Sequence, residues 1–119
     1  MEDRFSQQLK KGILEMLVLE LVCAKATYGY ELLNRLKEQS GGMFTLKEGT
    51  LYPILYRLED DGMIFSNWQQ GTGRSAPKKI YRATEAGVAE RDRRRALWRS
   101  FSNTIDGFVT EEEAHETGV

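Results

Sequence analysis

The chain has almost none of the residues that build metal clusters, disulfides or nucleophilic active sites. Its 119 residues include one cysteine, Cys23, and one histidine, His115. A disulfide needs two cysteines, and zinc sites and cysteine–histidine catalytic pairs need several such side chains close together. We therefore predict no metal site, no cofactor and no enzymatic activity. Cys23 follows two apolar residues and is expected to be a small core residue.

A long uncharged apolar run is also missing. The most apolar stretch, residues 13–23, contains Glu15 and Glu20, so it is too short and too charged to cross a bilayer. The first residues, MEDRFSQQLKK, are charged and do not resemble a secretion signal. We therefore expect a cytoplasmic protein with no membrane partner.

Neither sign of charge is in clear excess. The formal net charge is -1, but four of the 18 acidic residues lie in the last ten, TEEEAHETGV. The rest of the chain has 17 basic and 14 acidic residues, a net charge of +3. These totals do not identify a nucleic-acid-binding protein, so the distribution of charge must decide. The length allows one small domain with a modest core.

Apolar spacing predicts helices in the first half of the chain. A first helix over residues 4–24 is apolar on nearly every side from Ile13 onward, so it should be central. Thr27 is the expected N-cap of a second helix, which reads YGYELLNRLKEQS. A third helix lies within LKEGTLYPILYRLEDDG, residues 46–62, and should end at Gly62. Its core-facing positions are Leu51, Ile54, Leu55 and Leu58.

Two strand-like runs follow, and then a last helix. MIFSNWQQ and KKIYRAT, joined by the loop sequence GTGRSAP, predict a hairpin. Residues 63–83 contain no acidic residue and four basic ones, Arg74, Lys78, Lys79 and Arg82. The hairpin is therefore a cationic arm on a nearly neutral protein. Thr84 is the expected N-cap of the fourth helix, which should run to about Val109.

This order of elements predicts a fold that is mainly α with a small β-hairpin. The second and third helices have the dimensions of a helix-turn-helix, and the hairpin would be its wing. We expect a winged helix-turn-helix DNA-binding domain over residues 4–84 and an added C-terminal dimerisation helix over residues 85–109. Residues 110–119 are expected to form an acidic disordered tail.

Three short motifs in this sequence carry a family resemblance. YGYEL at 28–32, GTLYPILYRLEDDGMI at 49–64 and KIYRATEAG at 79–87 resemble the PadR family of bacterial transcriptional regulators. Their spacing is similar to that of the short subfamily with one C-terminal helix. The resemblance implies a homodimeric repressor that reads DNA with its third helix. The wing departs from the family pattern, because Ser75, Ala76 and Pro77 follow Arg74, and Ile80 replaces an aromatic residue.

The third helix has one end that suits DNA. Its C-terminal acids would be repelled by phosphates, whereas its N-terminus offers free N–H groups, a positive dipole end and Lys47. The resemblance places Thr50, Tyr52, Pro53 and Arg57 at the DNA, and Lys78, Lys79 and Tyr81 in or beside the wing. The full set of predicted DNA-binding residues is Tyr30, Lys47, Thr50, Tyr52, Pro53, Tyr56, Arg57, Arg74, Lys78, Lys79 and Tyr81.

Plainer interpretations of several of these residues stay open. Tyr52 and Tyr56 could simply cap the core, and Arg57 could pair with Asp61 on the same helix. The wing lysines could be a solvated strand edge that discourages aggregation. The cluster RDRRR at 91–95 is interpreted as a solvated helix face rather than a second track of phosphate contacts. The alternative function is a winged helix that docks proteins without binding DNA.

The last helix predicts a dimer. Four of its apolar residues are spaced 3, 4 and 3 apart, as in a helix–helix seam, and the helix would be about 35 to 40 Å long. A small domain does not cover that length, so a partner's first helix is the expected contact. The predicted interface residues are Leu9, Ile13, Met16, Leu97, Trp98, Phe101, Ile105 and Phe108. A two-fold dimer implies a pseudo-palindromic operator in double-stranded DNA.

Trp98 is also the predicted effector-binding residue. Two indoles facing each other across a two-fold axis would form a slot for a planar aromatic or cationic molecule. The resemblance points the same way, since some PadR-like regulators bind drug-like aromatics in such a place. The alternative is that Trp98 simply packs against Leu9, Ile13 or Met16 of the partner.

Overall fold

The computed structural model describes residues 2–110, and these residues form four helices and one small sheet. The predicted acidic tail, from residue 111 onward, lies outside the described residues. No helix in the described part is long and apolar enough to cross a membrane. The elements in chain order are α1 (Arg4–Ala24), β1 (Thr27–Tyr28), α2 (Gly29–Gln39), α3 (Glu48–Asp60), β2 (Ile64–Gln69), β3 (Lys78–Ala83) and α4 (Glu85–Val109).

The first helix is central, as its sequence predicts. It begins where the Asp3 carboxylate accepts a hydrogen bond from the Ser6 N–H at 2.8 Å. It packs against α2, α3, α4 and β3. Its buried residues are all in its second half: Leu14, Val18, Leu19, Leu21 and Val22. The first half leaves Phe5 and Leu9 exposed, so this part of the apolar surface is not covered by its own chain.

The sheet has three strands, one more than the predicted hairpin. The short strand β1 pairs antiparallel with β3, so that Thr27 lies opposite Tyr81, and β2 pairs with the other edge of β3. Thr27 is therefore a buried strand residue, and the prediction that it caps α2 is wrong. Tyr28 stands at the N-cap position instead, and the Thr27 hydroxyl donates to Glu31 Oε1 at 2.6 Å.

The third helix has the predicted orientation and the predicted end. Its four core-facing leucine and isoleucine residues are all buried. At its C-terminus Gly62 has a φ of +76°, a left-handed conformation that favours glycine. The Gly62 N–H donates to the Glu59 carbonyl at 3.0 Å, and the Met63 N–H donates to the Leu58 carbonyl at 2.9 Å. These two hydrogen bonds end α3 and direct the chain into β2.

The last helix is fixed to the domain at its beginning. Thr84 caps it as predicted, because its hydroxyl accepts from the Gly87 N–H at 3.0 Å and donates to the Gly62 carbonyl at 2.6 Å. Gly87 lies so close to the Met63 carbonyl that a Cβ would overlap it. Gly87 is also the single buried residue that α4 contributes. The whole is a winged helix-turn-helix with a long added C-terminal helix.

Candidate nucleic-acid interface

The predicted recognition surface is the outward side of α3. Thr50, Pro53, Tyr56 and Arg57 are exposed on this helix, and Lys47 is exposed just before it. Tyr56 is 52% exposed, and its ring centroid lies 6.1 Å from that of Tyr52. The outward side is therefore polar and aromatic, with surface that can meet both phosphates and base edges.

Tyr52 belongs partly to this surface and partly to the core. It is half-buried and packs against the hydrophobic core. A Cβ on Gly29, the first residue of α2, would overlap the Tyr52 phenol, so the two helices meet closely there. Burial, with a smaller contribution from Glu48, raises the pKa of Tyr52. Tyr52 therefore packs against the core, as the capping interpretation holds, and its side chain remains partly exposed.

The wing lysines lie over aromatic rings. The Lys78 Nζ is 4.3 Å from the ring centroid of Tyr28. The Lys79 Nζ is 6.0 Å from the ring centroid of Tyr56 and 5.7 Å from that of Tyr81. These distances are those of cation–π contacts. The contact of Lys79 with Tyr56 brings the cationic wing to α3, and that of Lys78 brings it to the start of α2.

A cleft of about 390 Å³ results between α3, the start of α2 and the wing. Six of the predicted DNA-binding residues line it: Tyr30, Tyr52, Tyr56, Lys78, Lys79 and Tyr81. Four further lining residues were not predicted: Tyr28, Gly29, Trp68 and Pro77. Their place depends on strand pairing and on β1, which the sequence pattern did not reveal.

Tyr81 lines this cleft from below and is 1% exposed. Burial raises the pKa of Tyr81 to about 12, and the negative charge of Glu59 makes a smaller contribution in the same direction. Its hydroxyl has no hydrogen-bond partner among the residues that the structure describes. The prediction that Tyr81 contacts DNA is therefore wrong, because its strand position turns the side chain into the core beneath Lys79.

The remaining predicted DNA-binding residues lie outside the cleft. Thr50 lines a second hollow of about 370 Å³ together with Lys10 and Lys11 of α1. Arg74 is exposed in the loop between β2 and β3. Arg57 does not pair with Asp61, since its Nη2 lies 3.6 Å from Glu15 Oε2 on α1. The physical reason is that α1 packs against α3 and brings a carboxylate within reach.

The arginine cluster of α4 is neutralised by nearby carboxylates. Arg93 and Arg94 bond to Glu90, with Nε–oxygen distances of 2.9 and 2.6 Å. These hydrogen bonds lower the pKa of the Glu90 carboxyl to about 2, and the bond from Arg93 has the largest effect. Arg95 makes two bonds of 2.6 Å to Glu20, which tie α4 to α1. Such pairing supports the interpretation as a helix face rather than a phosphate track.

The apolar side of α4 is uncovered along its length. A groove of about 600 Å³ runs between α1 and α4. The predicted interface residues that line it are Leu9, Ile13, Met16, Leu97, Trp98 and Phe101. Ile105 and Phe108 continue the exposed apolar side beyond it. Trp98 thus lies beside Leu9, Ile13 and Met16 of its own chain, and its ring centroid is 6.4 Å from that of Phe101.

Within residues 2–110, no group of three or more histidine, cysteine, aspartate or glutamate side chains is arranged to hold a metal ion. His115 lies outside the described residues. Cys23 is half-buried and its thiol faces the Gly87 carbonyl at 3.8 Å. Burial raises the pKa of this thiol, which disfavours the reactive thiolate.

Comparisons with known proteins match both the sequence and the fold. The negative transcriptional regulator PadR of Bacillus subtilis is 33% identical over 79 residues, which cover 66% of this chain and 42% of that protein. A transcriptional regulator of Mycobacterium tuberculosis is 44% identical over 62 residues, which cover 51% of this chain and 56% of that protein. The aligned regions therefore cover about half of each of these two relatives.

Solved structures of PadR family regulators have a similar fold. The crystal structure of a PadR family transcriptional regulator from Eggerthella lenta has a TM-score of 0.77 and 31% identity, and the match covers 87% of this chain and 88% of that one. The sequence model of the transcriptional regulator PadR-like family matches residues 18–93, from the core of α1 into α4. This chain belongs to the PadR-like family of transcriptional regulators.

Proposed function

We propose that the protein is a homodimeric, sequence-specific DNA-binding repressor. The observation that carries the proposal is the shared cleft of α3 and the wing. In this cleft the exposed side of α3 meets Lys78 and Lys79 of the wing, a hairpin without acidic residues. A helix such as α3 has the size to enter a DNA groove. Major grooves admit a helix, and phosphates on either side attract cations, so one surface serves both needs.

The charges of α3 set the direction of approach. At its N-terminal end Lys47 and Glu48 offset each other, so the positive end of the helix dipole remains. Its C-terminal end carries Asp60 and Asp61, while Glu59 is held by the Ser66 hydroxyl at 2.7 Å. The N-terminal half therefore enters the groove. Thr50, Pro53 and Tyr56 face base edges, with the exposed edge of Tyr52 beside them. Phosphate contacts come from Tyr30, Lys47, Arg57, Arg74, Lys78 and Lys79.

The uncovered side of α4 supports a dimer. Of its 25 residues only Gly87 is buried, while Trp98 is 42% and Phe101 is 56% exposed. An aromatic surface of this kind, continuous with exposed Leu9 on α1, fits a second copy of the same chain. A two-fold dimer would place two recognition helices on one side of the duplex.

Repression and its release complete the proposal. The Bacillus subtilis relative is named a negative regulator, and we take the sign of regulation from it. Trp98 and Phe101 give the α1–α4 groove flat aromatic walls, which suit a planar aromatic effector. Such a molecule releases DNA only if it prefers a dimer arrangement that binds DNA poorly.

The test is binding to labelled double-stranded DNA from upstream of the protein's own coding region. Fluorescence anisotropy should show tighter binding to this DNA than to random DNA of equal length, weakening steeply with added salt. Binding that is absent, or insensitive to salt, would contradict the proposal. Absence of any binding would favour the alternative, a winged helix that docks proteins.

A further inference from the structure

Trp68 is the most exposed aromatic residue of the candidate DNA cleft, at 68%. It lies on β2 directly opposite Lys79 on β3. Residues directly opposite each other on antiparallel strands project from the same side of the sheet. The Trp68 and Lys79 side chains therefore project from the same side of the sheet.

That side of the sheet is turned towards the recognition helix. Ser66, two residues before Trp68 and hence on the same side, bonds to Glu59 of α3. Lys79 lies over Tyr56 of α3. The cleft thus has the recognition helix as one wall and the inner side of the wing as the other. Trp68 forms the outer rim of the second wall.

We propose that Trp68 is a DNA-contact residue whose indole packs against a deoxyribose next to a phosphate bound by Lys79. This inference rests on the proposed DNA-binding function and adds a residue to it. A nucleic-acid backbone alternates an apolar sugar surface with an anionic phosphate. Trp68 supplies a flat apolar surface and an indole N–H donor, and Lys79 supplies the cation.

The floor of the cleft also calls for a polar occupant. The Tyr81 hydroxyl is buried there without a hydrogen-bond partner in residues 2–110, an arrangement that costs free energy until a partner arrives. A backbone strand held in the cleft brings phosphate oxygens and ordered water to this place. Holding that strand between the wing and α3 also fixes the register in which α3 reads the bases.

The first experiment compares variants by anisotropy titration on the operator DNA at several salt concentrations. Trp68→Ala should weaken binding about tenfold, and Trp68→Phe should recover part of the loss because it keeps a flat ring. Neither should change the salt slope, because no ionic contact is removed. Lys79→Ala should instead flatten the slope by about one unit.

Phe65→Ala is the matched control, since Phe65 is an exposed aromatic on the same strand but on the opposite side of the sheet. It should bind DNA as the wild type does. Circular dichroism of each variant verifies that the fold is retained. A Trp68→Ala variant that binds as tightly as the wild type would overturn the inference.

A second experiment needs no destabilising change. DNA should quench or shift the tryptophan fluorescence of the wild-type protein, and this change should be absent in Trp68→Phe, where Trp98 alone reports. Equal spectral changes in both proteins would overturn the inference, while anisotropy would still show DNA bound. Failure of the wild type to bind DNA at all would instead overturn the proposed function.

Discussion

Arg57 of α3 and Glu15 of α1 face each other, with Arg57 Nη2 3.6 Å from Glu15 Oε2. The other oxygen of the same carboxylate lies 3.8 Å from Arg94 Nη2 on α4. Glu15 also lines the groove in which Trp98 lies. One carboxylate therefore touches the proposed DNA-binding surface and the proposed dimer and effector surface.

This arrangement predicts that Glu15 restrains DNA binding. In Glu15→Gln, Arg57 loses a competing anion and is free to bind a phosphate, so affinity should rise about two- to fivefold on all DNA sequences. The matched control is Glu20→Gln, which removes the partner of Arg95 but does not touch Arg57. Anisotropy titration measures both variants. Equal affinities for the two would show that Glu15 has no specific effect.

The close contact between Gly29 and Tyr52 predicts a stability effect with a specific rescue. Gly29→Ala forces a methyl group into the Tyr52 phenol and should lower the free energy of unfolding by about 1 to 3 kcal/mol. In a Tyr52→Ala background the same substitution should cost much less, because the clash is gone. Urea denaturation of the four proteins measures this difference. Additive losses would mean that the two residues do not meet.

The lowered pKa of Glu90 predicts acid sensitivity with a defined sign. Its folded-state pKa is about 2 and its ordinary value is 4.5, so the charged form is favoured by folding. The resulting stabilisation is fully present above pH 4.5 and is lost as the pH falls towards 2. Thermal unfolding across this range should therefore depend less on pH in Glu90→Gln. An identical pH dependence in both proteins would remove Glu90 from the account.

The uncovered side of α4 predicts a dimer that charge can break. Phe101→Glu combined with Ile105→Glu places unpaired charges in the apolar interface and should give monomers. Arg99→Glu is the control, since it adds negative charge at an exposed position on the same helix outside the predicted seam. Analytical ultracentrifugation measures the mass of each variant. A dimer that survives the double substitution would place the interface elsewhere.

Local patterns predicted much of this structure. The spacing of Leu51, Ile54, Leu55 and Leu58 fixes which side of α3 faces the core, because a helix has a constant period. Gly62 is a typical residue after the end of a helix, and Thr84 is a typical N-cap, so both helix ends can be predicted from a few neighbouring residues. The bounds of α1 and the two wing strands followed from the same kind of short-range signal.

Contacts between residues distant in sequence were not predictable. Strand β1 exists because Thr27 and Tyr28 meet Tyr81 and Ile80, some fifty residues later, and two residues are too few to show a strand period. The same pairing buries Tyr81. The place of Trp68 depends on the register of β2 against β3, which no single strand encodes. Arg57 pairs with Glu15 rather than with Asp61 because the packing of α1 against α3 brings the Glu15 carboxylate within reach. The i+4 spacing within α3 does not show this contact.

The most direct test of the account is a hydroxyl-radical footprint of the wild-type protein on DNA from upstream of its own coding region. Two symmetry-related recognition helices should protect two half-sites with inverted sequences, their centres about 34 to 36 Å apart or a multiple of that distance. A single protected site without two-fold symmetry, or no protection at protein concentrations where the dimer is intact, would contradict the account.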